Sequence, residues 1–297
     1  MTTVFSNPSL DDAARRRRLY AGQVMVYPAT LSSMAFIEHA QELITEGFGP
    51  RDPETAQFDM PVEEFAAVLT ELKPRFIHHS QSKELIRALL AEFGCDSDQT
   101  YFDVPRLRTS TSDSYLISGI SYAFHPHRDT WYSAPFSQIN WWLPIFPVVP
   151  ENVMAFHPRY WSQPVRNGSC RYDYDEWNRT SRHTAAQHIR VDTREQPKPE
   201  EPIELYPQVR VVPEAGGLLM FSGNQLHSTV PNTSGRTRYS IDFRTVYLPD
   251  VVNQQEAPNV DSQCTGTTLR DFLRARDLER MPEEVALSYQ NRGTARV

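Results

Sequence analysis

The chain has 297 residues, 39% of them hydrophobic and 23% charged, the composition of an ordinary globular protein able to bury a sizeable core. A formal net charge of -7 argues against nucleic acid as the main partner, because phosphate binding needs a basic face. No apolar run approaches the ~20 residues of a membrane-spanning helix and the N-terminus lacks a secretory apolar core, so the expectation is a cytoplasmic protein with no membrane partner.

In chain order, the basic run at 15–18 reads as a solvated helix face or a terminal arm rather than a binding site. Ser32 can cap a helix through Phe36, Ile37, Ala40, Leu43 and Ile44, ended by the breakers Gly47 to Pro50. The spacing predicts a second helix over 62–72, stopping before Pro74, and a third over 82–93 with Gly94 as its C-cap. From about Tyr101 the texture changes to short aromatic and β-branched segments at 115–124, 136–146, 153–157, 209–212, 218–221 and 238–247, separated by turn residues. Many short strands with turn signals between them predict a sandwich or barrel. Residues 191–206, rich in Pro and Glu, read as a loop, either a spacer or part of a lid. After Pro249 an irregular stretch leads to a closing helix over 267–278. Cys95, Cys170 and Cys264 form neither a disulfide framework nor a zinc pattern and are expected as reduced thiols. No linker divides the chain. The expectation is one domain over 1–297, with a mainly helical support to residue 100, a β core over 101–250 and a C-terminal tail over 251–297.

The most informative segment is His125-Pro-His127-Arg-Asp129. In an extended strand, residues two apart share a face, so His127 and Asp129 can present an imidazole and a carboxylate to one ion. Alone, an H-x-D is a common chance pattern, compatible with a surface histidine beside a salt-bridging aspartate. The second segment changes this. Gly216 and Gly217 open a turn, an apolar strand follows, and His227 enters a new strand; Arg238 lies 11 positions further on, with Ser240 on the same strand face. Two histidines and one carboxylate leave three positions open on an octahedral iron(II), the facial triad of non-haem iron oxygenases. A bidentate keto acid and dioxygen can occupy those positions. An inward arginine offers a planar fork for the far carboxylate of 2-oxoglutarate, with a serine hydroxyl in support.

On these residues the chain resembles the iron(II)/2-oxoglutarate-dependent dioxygenases, most of all the phytanoyl-CoA dioxygenase-like branch. The resemblance rests on H-x-D at 127–129, on His227 followed by Ser-Thr-Val-Pro-Asn, and on R-x-S at 238–240. A weaker likeness covers Gln138-Ile-Asn-Trp-Trp142 and the stretch from Pro150 to Pro158, and the whole spans roughly residues 115 to 247. Where the family usually has Asn-Gly and then Pro-Gly-Ser-His, this chain has Asn152-Val153 and Pro158-Arg-Tyr-Trp, so that turn and loop should differ in shape. The resemblance implies a double-stranded β-helix (jelly-roll, cupin-like) core with flanking helices. It implies iron(II) held by His127, Asp129 and His227, with 2-oxoglutarate as cosubstrate and dioxygen as oxidant. Related halogenases replace the carboxylate with a small residue, so Asp129 favours oxygen insertion, desaturation or ring closure over halogenation. The expected reaction is hydroxylation of an unactivated C–H bond of a small, specialised metabolite, with release of succinate and carbon dioxide. The alternative is a cupin-like metal-binding isomerase or binding protein that does not use 2-oxoglutarate.

Other residues have competing readings. His125 could pair with His127 as in metal cupins, or contact substrate. Arg128 and Trp131 are further candidate substrate contacts. Trp141 and Trp142 point to opposite faces of one strand; the resemblance places Trp142 in the cosubstrate pocket, where Asn140 on the same face could bond the keto acid. His78 and His79 suit capping or the surface, and His157, His183 and His188 suit packed or solvated positions. Arg106, Arg108, Arg128, Arg159 and Arg166 could grip an anionic substrate group or form salt bridges with nearby Asp and Glu.

Overall fold

The computed structural model describes residues 3–116, 119–121, 125–181 and 194–294. The N-terminal part contains β1 (Val4–Ser6), α1 (Asp12–Tyr20), β2 (Val24–Tyr27), α2 (Leu31–Phe48), α3 (Val62–His78) and α4 (Ser80–Glu92). The middle contains β3 (Thr100–Phe102), β4 (Arg106–Ser110), β5 (Ile139–Pro144), β6 (Met154–Phe156), α5 (Tyr174–Thr180), β7 (Val209–Arg210), β8 (Leu218–Ser222), β9 (His227–Thr229) and β10 (Arg238–Tyr247). The tail adds α6 (Leu248–Asn253), β11 (Leu273–Arg274) and α7 (Glu283–Thr294).

Two sheets form. In the larger, β4, β10, β5 and β8 lie side by side, extended by β2 and β1 beyond β8 and by β3 and β11 along β10. In the smaller, β7, β6 and β9 pair in that order, and a bridge between His127 and His227 adds the segment at 127 to its edge. Taking β4, the His127 bridge and β5 to β10 as eight core strands, the larger sheet runs first, eighth, third, sixth and the smaller second, seventh, fourth, fifth. This order is the jelly-roll, or double-stranded β-helix.

The alternation along β10 explains how the sheet sits. Tyr239, Ile241 and Phe243 point outward into a core shared with Phe36, Ile37, Leu69 and Phe76 of the helices. Each such ring or branched chain contributes about 1.5–3 kcal/mol on burial. Arg238, Ser240, Asp242 and Arg244 take the opposite face, toward the space between the sheets. Inside, Trp142, Leu219 and Phe221 of the larger sheet meet Met154 and Phe156 of the smaller.

Several expectations are corrected. Helix α2 is capped by Thr30, whose hydroxyl accepts from the Ser33 N–H while Ser33 Oγ accepts from the Thr30 N–H; Ser32 instead donates its N–H to Glu92. Helix α3 does not stop at Pro74 but runs to His78, because Phe76 is fully buried and stacks on Phe36 at 5.9 Å. Burial of Phe76 outweighs the missing proline N–H, which leaves the Thr70 carbonyl without its helical donor. Pro74→Ala is therefore expected to stabilise the protein by ~1 kcal/mol, as read by urea denaturation. Helix α4 ends as expected: Gly94 has φ +69° and Cys95 N–H reaches Leu90 O.

The segment 267–278 is a short 3-10 turn followed by β11, which pairs with β3; the closing helix is α7. Of the segment 115–124, residues 117–118 and 122–124 lie outside the described residues, and Gly119–Ser121 is a 3-10 turn rather than a strand. The basic run is helical but not solvated throughout. Arg15 is 3% exposed and bonds Asp12 and the Phe93 carbonyl, and Arg16 bonds Asp250. Among the described residues no helix is long and apolar enough to cross a membrane.

Candidate metal centre

His127 and His227 exchange both backbone hydrogen bonds, N–H to O at 2.9 and 3.0 Å, so they face each other as a hydrogen-bonded antiparallel pair. Their rings lie 4.3 Å apart between centroids. Each ring is oriented in the same way. His127 Nδ1 donates to the His125 carbonyl at 2.8 Å and His227 Nδ1 to the Gln225 carbonyl at 3.0 Å. A ring that donates from Nδ1 keeps its Nε2 lone pair for a metal.

Asp129 does not continue an extended strand, as its spacing from His127 suggested, but opens a 3-10 turn through Tyr132. Its N–H donates to Gly223 O at 2.9 Å, which still brings the carboxylate to the histidines. Asp129 Oδ1 lies 3.5 Å from His127 Nε2 and 4.0 Å from His227 Nε2. The other oxygen, Oδ2, accepts from Gln138 Nε2 at 2.9 Å and Asn140 Nδ2 at 2.6 Å. The amides thus leave Oδ1 for an ion. Gly223 suits this close approach: a Cβ there would sit 3.0 Å from Gln138 Nε2, which would have to shift by a few tenths of an ångström.

Ligand atoms of His127, Asp129 and His227 all lie within 4.8 Å of one another, and all three residues are buried. Three such atoms so close together could be held by one ion. Burial opposes ionisation of Asp129, but the His127 contact and the charge of Arg244 outweigh it and hold the carboxyl below its usual range. Burial, reinforced by His127, pushes His227 down to about 4. The unfolded chain, with its histidine at the ordinary 6.5, therefore takes up a proton before the folded chain does. Stability from this group is complete above about pH 6.5 and lost as pH falls toward about 4, so the melting temperature of the metal-free protein should drop across that window.

The adjoining interior wall carries an unusual deficit. Arg238 Nε and Nη1 and Ser240 Oγ are buried without a hydrogen-bond partner. Arg238 lies with Cζ 5.5 Å from the centre of the Trp142 ring, and burial pushes its guanidinium down to about 10. Trp142 follows Asn140 on the same face of β5, and Asn140 bonds Asp129, so the orphaned fork and the triad share one interior surface. Three orphaned donors on one strand face fit a carboxylate, and the donor set of two imidazoles and one carboxylate fits iron(II). Trp141 takes the opposite face, donating to Thr245 Oγ1 and stacking on Phe243.

Two residues expected as substrate contacts are bonded within the fold. Arg128 and Trp131 are both 0% exposed and turned away from the triad: Arg128 Nε and Trp131 Nε1 donate to Asp261, and Arg128 also reaches the carbonyls of Asn224, Tyr160 and Gln163. His125 is half-buried, with Nε2 2.8 Å from Pro197 O, and it is not among the clustered ligand atoms. Pro197 O also accepts from Tyr132, so the described part of the 191–206 loop lies against the ligand segment; residues 191–193, with His183 and His188, lie outside the described residues. His79 caps α4, and His157 is 1% exposed, bonded to Ser228 and Leu205. Arg108 pairs with Asp242, Arg106 with Asp103, Arg159 with Glu204, and Arg166 with the Glu200 carbonyl.

Sequence reasoning missed Asp261. Its carboxylate also accepts from Val165 N–H at 3.0 Å, and through Arg128 it ties the segment at 127–129 to Asn224, beside the Gly223 and Gln225 carbonyls that orient Asp129 and His227. The role of Gln138 was legible only as a shared strand face with Asn140.

No protein-family model matches the sequence, and no curated protein matches it. Among solved structures, the chain is similar to EvdO2 from Micromonospora carbonacea var. aurantiaca, at 11% identity over 81% of this chain and 92% of that one, with a TM-score of 0.44. It is similar to the nickel complex of ThoJ, a non-heme monooxygenase, at 13% identity over 96% of each chain, with a TM-score of 0.44. It is also similar to SnoN, a non-heme alpha-ketoglutarate-dependent epimerase from nogalamycin biosynthesis, at 15% identity over 80% of this chain and 84% of that one, with a TM-score of 0.38. Likenesses this distant assign no chemistry to this chain, whose functional reading rests on its own side chains.

Proposed function

We propose that this chain is an iron(II)- and 2-oxoglutarate-dependent oxygenase acting on a small molecule. The observation that carries the reading is the trio of orphaned buried donors, Arg238 Nε, Arg238 Nη1 and Ser240 Oγ, on the same interior wall as a buried His-Asp-His cluster. A buried guanidinium without its partner costs several kcal/mol, and a carboxylate offsets that cost with charge-assisted bonds. A metal-binding isomerase that takes no dicarboxylate leaves this deficit unexplained.

In this reading His127 Nε2, Asp129 Oδ1 and His227 Nε2 would hold the metal. Gln138 and Asn140 fix the rotation of the Asp129 carboxylate, and the two backbone carbonyls at 125 and 225 fix both imidazole tautomers. Arg238 and Ser240 grip the far carboxylate of 2-oxoglutarate, with Trp142 beside the guanidinium. The aromatic rings of Phe156 and Phe221 against His227 keep water from that side of the site. When bound, iron(II) with 2-oxoglutarate and dioxygen supplies an oxidant able to break an unactivated C–H bond, with succinate and carbon dioxide released. Hydroxylation is the default outcome, and desaturation or cyclisation would use the same residues.

Anaerobic titration tests this reading. Iron(II) followed by 2-oxoglutarate is expected to produce the visible charge-transfer band of an iron–keto-acid chelate, and aerobic incubation with ascorbate is expected to yield succinate. If 2-oxoglutarate leaves the spectrum of the iron-loaded protein unchanged and no succinate forms, the proposal is wrong.

A further inference from the structure

Beyond the Arg238–Ser240 pocket, the inner face of β10 continues to Asp242 and Arg244, and β4 lays Arg108 opposite Ser240 and Arg106 opposite Asp242. The wall thus carries three guanidinium groups against two carboxylates, Asp103 and Asp242. Arg108 is matched by Asp242, with Nε 2.7 Å from Oδ1. Arg106 and Arg244 instead converge on one atom: Nη1 of each reaches Asp103 Oδ2, at 2.5 and 3.0 Å. One carboxylate cannot neutralise both. Nε and Nη2 of Arg106 and of Arg244 have no partner among the described residues.

Their placement points to the reaction. Arg244 is the cross-strand neighbour of Asn140, which bonds Asp129, and its charge is among those that keep Asp129 ionised. The Arg106 and Arg244 side chains are 19% and 22% exposed, while Asp103 beneath them is 2% exposed. The pair therefore has a solvent-reached edge at the metal's level, opposite in direction along β10 from the cosubstrate fork. Burial, and then the charge of Arg244, pull the Arg106 guanidinium below its ordinary value. Burial and Arg108 likewise push Lys73, near the same wall, down to about 7. Arg244 differs: the charges of Asp103, Asp129 and Asp242 outweigh its burial and raise it.

Resting on the oxygenase reading of the metal centre, we infer that the substrate carries an oxyanion, carboxylate or phosphate, that lands on Arg106 and Arg244 and holds the reacting C–H bond beside the metal. With the 2-oxoglutarate tail matched by Arg238, this group of five charges keeps one surplus cation at low dielectric. An oxyanion neutralises it and fills the open Nε and Nη2 donors with charge-assisted bonds. A neutral hydroxyl fills donors but leaves the charge.

The test uses cobalt(II)-loaded protein saturated with 2-oxoglutarate, titrated with inorganic phosphate and separately with acetate while phosphorus and methyl-proton relaxation are read. Saturable enhancement is expected with at least one anion, and the tighter of the two identifies the substrate group as phosphate or carboxylate. Apparent affinity should fall about 10- to 100-fold in Arg106→Gln and in Arg244→Gln, with partial retention in Arg106→Lys. The inference is overturned if neither anion gives saturable enhancement, if both glutamine variants bind as the parent does, or if they lose 2-oxoglutarate in parallel, which assigns the arginines to the cosubstrate. Should Arg244→Gln fail to fold by thermal melting, Arg106→Gln decides. A cobalt spectrum that does not respond to 2-oxoglutarate overturns the functional reading itself, and this inference with it.

Discussion

Arg238→Met is expected to weaken 2-oxoglutarate binding by roughly 100- to 1,000-fold while iron(II) affinity stays within a few-fold of the parent. The magnitude follows from deleting one member of a buried charge pair, which costs about 3–5 kcal/mol when the other member is left without it. The substitution should have the opposite effect on the metal-free protein. There the guanidinium is buried, with Nε and Nη1 unbonded, and a methionine of similar length removes a desolvation penalty. Melting temperature without ligand is thus expected to hold or rise. A purely structural arginine predicts the reverse, a fall in melting temperature with no selective loss of the keto acid. Arg238→Lys should recover only part of the affinity, because an ammonium lacks the two-pronged geometry.

Asp261→Ala is expected to cost about 3–5 kcal/mol of stability and to lower the melting point by about 5–10 °C. Its carboxylate, 5% exposed, is the charge partner of Arg128, which is 0% exposed, and its loss leaves a buried guanidinium uncompensated. Iron(II) affinity should fall about 10- to 100-fold, the range found when supports behind metal ligands are removed. The reason is local. Arg128 stands between two ligands in sequence and bonds Asn224, beside the Gln225 carbonyl that orients the third. Asp261→Asn keeps an acceptor for Trp131 and Val165 and should show an intermediate iron affinity. Calorimetric melting and competition with a chromophoric chelator read the two effects separately.

The parts of the fold that local pattern specifies were legible. The strand 238–247 alternates polar and apolar residues from Arg238 to Arg244, and β10 has the expected bounds. The clustering of His127, Asp129 and His227 was legible because their spacing carries chemistry. Short strands were harder. β1, β2 and β3 have three or four residues each, too few for a period to stand out, and they are strands because β2 pairs with β8, β3 with β10, and β1 with β2 in turn. The proline in α3 misled for a related reason, since the packing of Phe76 against a helix about 40 residues away is invisible locally. Asp261 could not have been singled out at all. In sequence it is one aspartate in an irregular tail, and its importance arises only when that tail folds back onto a segment more than 130 positions earlier.

The reciprocal backbone pair between His127 and His227 also bears on when the metal can arrive. The two ligands are separated by a 100-residue stretch and meet only when the first strand of the smaller sheet closes against the last. Closing so long a loop is among the slower events of folding, and little of it is accomplished by local structure. Nascent or partly folded chains therefore offer two isolated histidines with ordinary weak affinity, and high-affinity capture begins only once the barrel is shut. On the proposed function, iron would then lock that closure, raising the melting point with the logarithm of free metal. Metal retention becomes a reporter of complete folding.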